Sequence, residues 1–135
     1  MNQAIDLVPD LQPERYILGL IAVARSDGES PEERAFIEAQ ASLLGVDAAP
    51  LLNQEHITIQ GISEGCSMTT RRLILRDCVM LAHADGVYSE QEQAALEMLC
   101  NELDINPALI ERFNSWLQRY DALLTEGHEL ITGDG

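Results

Sequence analysis

Apolar residues in this chain recur mainly at the spacing of an amphipathic helix. Ile17, Leu20, Ile21 and Ala24 fall at i, i+3, i+4 and i+7, one helical face, and predict a first helix from near Leu11 to Ser26. Asp10 stands where an N-cap is expected, and Pro13 is tolerated in a first turn. Ser26-Asp27-Gly28 ends the helix, because glycine permits the turn. Ser30-Pro31-Glu32-Glu33 then reads as a capping box with proline at the first helical position. In such a box the Ser30 hydroxyl accepts from the Glu33 amide, while the Glu33 carboxylate accepts from the Ser30 amide. Phe36, Ile37, Ala41, Leu43 and Leu44 supply the apolar stripe of the second helix, Gly45 ends it, and Asp47 caps a short third helix to about Asn53.

The same pattern returns further on. Leu75, Cys78, Val79 and Ala82 repeat Ile17, Leu20, Ile21 and Ala24 at a constant offset, and Asp85-Gly86 matches Asp27-Gly28. Ser89-Glu90-Gln91-Glu92 is a second capping box, reached after one extra loop residue. Leu96, Leu99, Cys100 and Leu103 then follow Ile37, Gln40, Ala41 and Leu44, and the exit Leu103-Asp104-Ile105-Asn106 follows Leu44-Gly45-Val46-Asp47. The sequence therefore reads as a duplication, with repeats at about 11–53 and 69–120. After the second unit Asn106 caps a last helix begun by Pro107, with Leu109, Phe113, Trp116, Leu117 and Tyr120 as its buried stripe. The segment 54–67 predicts an irregular connector or a short helical turn, and the polar tail from Thr125 a frayed end. The expected fold is all-α, residues 1–135 forming one compact bundle. Two pseudo-symmetric helix, Asp-Gly loop, helix units bury their apolar faces against each other, and the third and last helices close the sides.

Composition narrows the function. Hydrophobic residues make up 46% of the chain and aromatic residues only 4%, so the core is expected to be aliphatic. The formal net charge is −15, and all eight basic residues are arginine. Only Arg71, Arg72 and Arg76 cluster, which speaks against nucleic acid as a partner, since phosphate binding concentrates cations. An anionic lipid surface would repel the chain for the same reason. No apolar run approaches a membrane span and no basic leader precedes one, so the expected location is the cytoplasm. Cys66, Cys78 and Cys100 lack metal-ligand spacing and read as reduced thiols. Cys78 and Cys100 take core positions, while Cys66 is expected to be exposed in the connector without a basic neighbourhood to lower its pKa. His83 reads as a surface helix residue, and no phosphate loop, HExxH motif or nucleophile elbow points to catalysis.

The two loops carry the remaining chemistry. Ile21-Ala22-Val23-Ala24-Arg25-Ser26-Asp27-Gly28, followed by Ser30 and Glu33, resembles the tellurite-resistance TerB family. So does Leu81-Ala82-His83-Ala84-Asp85-Gly86, followed by Ser89 and Glu92, and the resemblance reaches from about residue 11 to 120. That family shares its helical fold with the N-terminal region of some membrane-anchored J-domain co-chaperones. The resemblance implies a non-enzymatic protein of the bacterial stress response to tellurite. It also implies an acidic cluster that holds a divalent cation, calcium foremost, and protein partners among membrane-associated tellurite-resistance proteins. Matched residue by residue, the metal-holding positions are Asp27, Glu33, Asp85 and Glu92, with Glu29, Glu32 and Glu90 nearby. Two readings of these acids stand side by side. Asx-turns and capping boxes account for them without any ligand. Alternatively, carboxylates that converge to about 6 Å repel by about 3 kcal/mol at an effective dielectric near 20, which favours an oxygen-ligated cation. The spacing is not that of an EF-hand, and Val87-Tyr88 stands where the first loop has only Glu29.

Overall fold

The computed structural model describes residues 10–26, 30–83 and 88–133, and among these residues the chain is all-helical, without a strand. Its elements are α1 (Pro13–Ser26), α2 (Pro31–Leu44), α3 (Ala48–Leu52), α4 (Ile59–Ser63), α5 (Met68–His83), α6 (Glu90–Leu103) and α7 (Ala108–Thr132). Helices α1 and α2 pack on each other, as do α5 and α6, and the two leading helices α1 and α5 meet at the centre. Helix α3 leans on the first pair, α7 packs on α5, and α4 lies against α1 and α6.

Local chemistry explains where these helices begin and end. Both capping boxes form: Ser30 N donates to Glu33 Oε1 at 2.8 Å, and Ser89 N to Glu92 Oε1 at 3.1 Å. Each serine hydroxyl accepts the return bond at 3.1 Å. At the other ends of these helices, Gly45 (φ 72°) and Asp104 (φ 56°) both take the left-handed conformation. Val46 N then donates to Ala41 O, and Ile105 N to Cys100 O, each at 2.8 Å. Asp47 caps α3, accepting from Ala49 N at 3.2 Å. Helix α7 has Pro107 as its N-cap residue without a side-chain bond, and Asn106, expected to cap it, accepts from Ala108 N at 3.0 Å as an Asx-turn just before. Asp10, expected to cap α1, serves α5 instead. Its Oδ2 accepts from Thr69 Oγ1 at 2.9 Å and its carbonyl from Ser67 Oγ at 3.0 Å, while Ser67 Oγ caps Thr70 N at 3.1 Å.

The core is aliphatic, with Ile17, Leu20, Ile21 and Ala24 facing Leu75, Cys78 and Val79, and with Ile37, Ala41, Leu96, Leu99, Cys100 and Leu103 behind them. Each fully buried Leu or Ile side chain contributes roughly 1.5–3 kcal/mol. The centre of the α1–α5 contact carries two dissimilar pairs. Tyr16 donates its hydroxyl to Asp77 Oδ2, and Asp77 Oδ1 accepts from Arg76 Nε and Nη2 at 3.1 and 2.9 Å. Gly19 lies under Ile74, where a methyl group would overlap Cδ1. Tyr16 and Ile74 are separated by the same offset as Gly19 and Asp77, 58 positions (74 − 16 and 77 − 19). The two contacts are therefore exchanged by the offset, the relation that a pseudo-two-fold axis between α1 and α5 requires.

Several surface expectations change. The segment 54–67 contains the helical turn α4, which buries Cys66, expected to be exposed, together with Ala22 and Ile62. Leu43 is exposed rather than part of the α2 stripe. The last helix does not fray at Thr125 but continues to Thr132. Its inward face is Ile110, Asn114 and Leu117, so Phe113 and Trp116 are half-buried and Tyr120 is exposed, not a continuous buried stripe.

Candidate functional site: the flanks of the two acidic loops

Asp27 and Asp85 lie outside the described residues, and so do Gly28, Glu29 and Gly86. Their flanks are described, and both loops are held on each side. On the far side stand the capping boxes, so Glu33 and Glu92, both half-buried, each commit Oε1 to a backbone amide. On the near side stand Arg25 and His83, each two residues before its loop aspartate. Arg25 reaches across to α3, donating from Nη2 to Leu52 O at 2.6 Å and from Nη1 to Gln54 O. His83 Nε2 pairs with Asn114 Oδ1 of α7 at 2.9 Å. Its ring stacks on Tyr88 with centroids 4.3 Å apart. His83 is thus half-buried and engaged, not the free surface histidine expected.

Asn114, in turn, donates from Nδ2 to Glu111 Oε1 at 3.4 Å, and the Tyr88 hydroxyl donates to Gln93 Oε1 at 2.6 Å. Burial raises the Tyr88 phenol above its ordinary value; the Asn114 hydrogen bond opposes this, and the carboxylates of Glu111, Glu92 and Glu97 add to it. Asn114 gave no sequence signal beyond being a polar residue on the inward face of an amphipathic helix. A polar group there needs a partner, and His83 supplies it.

The arginines act mainly on carbonyl groups. Arg15 Nη1 donates to Ile62 O at 3.3 Å, and its guanidinium fills the space over Gly65 where a side chain would collide. Arg71 joins two helix ends, donating to Ser63 O at 2.8 Å and to Leu103 O at 3.3 Å. Arg25 does the same beyond α3. A planar fork satisfies two carbonyls at once, which the single ammonium of lysine does less well. Arg71 and Arg76 are consequently turned to the protein, which dissolves the small basic cluster with Arg72. Burial also pushes up the Cys66 thiol, outweighing the nearby Arg15 and Arg71 guanidiniums that pull it down. Such a thiol is a weak nucleophile.

Among the described residues no three His, Cys, Asp or Glu side chains gather closely enough to hold a metal ion. The acidic donors beside the loops are carboxylate oxygens, with Glu32 and Glu90 exposed in the first turns of α2 and α6, and the one imidazole there, His83, has its Nε2 paired with Asn114. Oxygen donors of this kind suit a hard cation rather than zinc or copper.

Against known families, the model of the tellurite resistance protein TerB matches residues 54–115. Over these residues the chain is similar to TerB. The match covers α4, α5, α6 and the start of α7, including the loop of Asp85 and the box of Glu92. It is narrower than the stretch 11–120 over which the residues resemble the family, and the loop of Asp27 with Glu33 lies outside it. Searches of curated proteins and of solved structures found no match to this chain. Among its described residues no helix is long and apolar enough to cross a membrane.

Proposed function

We propose that this TerB-like protein is a non-catalytic module of a tellurite or related stress response that binds a divalent cation through its two acidic loops. The observation that carries this reading is the double anchoring. Each Asp-Gly loop leaves a helix pinned by Arg25 or His83 and enters one fixed by a capping box. Carboxylates on pinned supports lose little ordering entropy when they meet a ligand. Asp27, Glu33, Asp85 and Glu92 supply oxygen only, the chemistry of calcium, and such an ion would screen charges that repel one another in a chain of net charge −15. A cation held there would add a positive surface to an acidic face and so alter which protein docks on it. The partners in this reading are membrane-associated tellurite-resistance proteins, which would bring a cytoplasmic protein to the inner membrane.

Metal-stripped full-length protein titrated with calcium tests the proposal by calorimetry and thermal melting. Saturable heat and an upward melting shift are expected, both lost in Asp27→Asn/Asp85→Asn. Absence of heat and shift at millimolar calcium removes the cation. The second reading, a ligand-free helical interaction scaffold, is favoured by one observation: Glu33 and Glu92 already serve as caps. It predicts partner capture from lysate that the Asp27→Asn/Asp85→Asn variant leaves intact.

A further inference from the structure

Helix α7 is two objects in one. Its first half packs on α5, whereas from Gln118 to Gly133 every residue except Gly127 is exposed. A helical arm of this length without tertiary cover is marginal in water. The arm is also strongly amphipathic. Tyr120, Leu123, Leu124, Leu130 and Ile131 are 44%, 64%, 57%, 72% and 85% exposed. They fall at i, i+3, i+4, i+10 and i+11, one stripe, with Gly127 between them at i+7. The stripe continues an aromatic ladder that starts on the body, Phe113 to Trp116 at 6.5 Å and Trp116 to Tyr120 at 5.8 Å.

We infer that this arm is a self-association surface, and that two copies of the chain pair through it antiparallel, crossing at Gly127. Area, register and charge favour a second copy as the occupant. Leu123, Leu124, Leu130 and Ile131 present roughly 500 Å² per copy, so pairing buries about 1,000 Å², the size of a weak, reversible interface. Reflection about Gly127 sets Leu123 of one copy against Ile131 of the other, and Leu124 against Leu130. These four positions are thus their own complement, as an isologous interface demands. At the crossing point Gly127 has no side chain and open space around it, which lets two helix backbones approach. The net charge of −15 per chain decides the direction. Parallel pairing would set two acidic bodies side by side. Antiparallel pairing separates them by about 30 Å along the arms, several Debye lengths at physiological salt.

Sedimentation velocity of the full chain, from micromolar to submillimolar concentration, should show a monomer–dimer equilibrium. Leu123→Glu/Leu130→Glu should sediment as a monomer throughout that range. Gly127→Cys should form an intermolecular disulfide rapidly under mild oxidation, whereas Tyr120→Cys should not, because antiparallel pairing places the two copies of position 120 about 21 Å apart. This second measurement does not depend on the glutamate variant keeping its helix. A wild type that stays monomeric overturns the inference, as does a dimer that persists in Leu123→Glu/Leu130→Glu. Tyr120→Cys cross-linking as fast as Gly127→Cys overturns the antiparallel arrangement.

Discussion

The contact of α1 with α5 depends on Gly19 lying under Ile74, and Gly19→Ala probes it directly. A methyl group at position 19 would overlap Ile74 Cδ1 and stand 3.1 Å from Cγ1, and Ile74 is fully buried, so the core must shift. Overpacking of this kind costs about 1–3 kcal/mol. Alanine in a helix interior returns about 1 kcal/mol relative to glycine. The expected net loss is about 0–2 kcal/mol, against the gain that helix propensity alone would give. Ile74→Val removes Cδ1 and by itself costs about 0.5–1.5 kcal/mol. In the double variant the new methyl takes the vacated space, and stability returns close to wild type. The two substitutions should therefore be coupled by about 2 kcal/mol, well beyond the ~0.5 kcal/mol scatter of independent sites. Urea unfolding followed by far-UV circular dichroism, with unchanged m-values, reads these numbers. Additive losses would refute the packing described at the centre of the molecule.

Glu33→Gln/Glu92→Gln keeps an acceptor for the Ser30 and Ser89 amides, so stability should move by less than about 0.5 kcal/mol while calcium heat in calorimetry falls at least about tenfold. By contrast, Ser30→Ala or Ser89→Ala should each cost about 1 kcal/mol in urea unfolding. Asp104→Gly relieves an exposed left-handed residue and should raise stability by about 0.5–1 kcal/mol in the same assay. Alkaline pH should weaken the fold. Burial pushes the Cys100 thiol up to about 11, and burial beside Asp77 raises the Tyr16 phenol further. Both groups stay protonated when folded and ionise more easily when unfolded. Their contribution is therefore complete below pH 9, the ordinary thiol value, and the thiol's share is lost as pH rises through about 11. Urea midpoints at neutral and alkaline pH check this, and Cys100→Ala should flatten the part of the decline that begins at the thiol.

What could be read from the residues was what short-range chemistry dictates. Capping boxes, the left-handed exit at Gly45 and the cap at Asp47 involve neighbours within a few positions, and each forms as the sequence implies. The long-range polar pairs carried no such mark. Asp77 sits among apolar residues of α5 and finds Tyr16 across 61 positions, and His83 finds Asn114 across 31. Trp116 looked like core because its spacing fits a helix stripe, yet the inward face runs through Ile110, Asn114 and Leu117. The glycines and polar residues of the tail hid a helix whose apolar stripe, Leu123, Leu124, Leu130 and Ile131, is exposed. Of the four acids in the candidate site, Glu33 and Glu92 are at the boxes that flank the loops, and Asp27 and Asp85 lie outside the described residues.

The exchange of partners at the α1–α5 seam also separates the two halves as building blocks. Were two copies of the first half to close on each other, each tyrosine hydroxyl would meet a glycine and bury an unsatisfied donor. Two copies of the second half would press each Asp77 carboxylate against an isoleucine, a buried anion with only Arg76 beside it. Either homotypic assembly is penalised by a desolvated polar group, so each half suits the other better than itself. Splitting the chain between Asn53 and Thr58 should yield fragments that recognise each other and reject themselves.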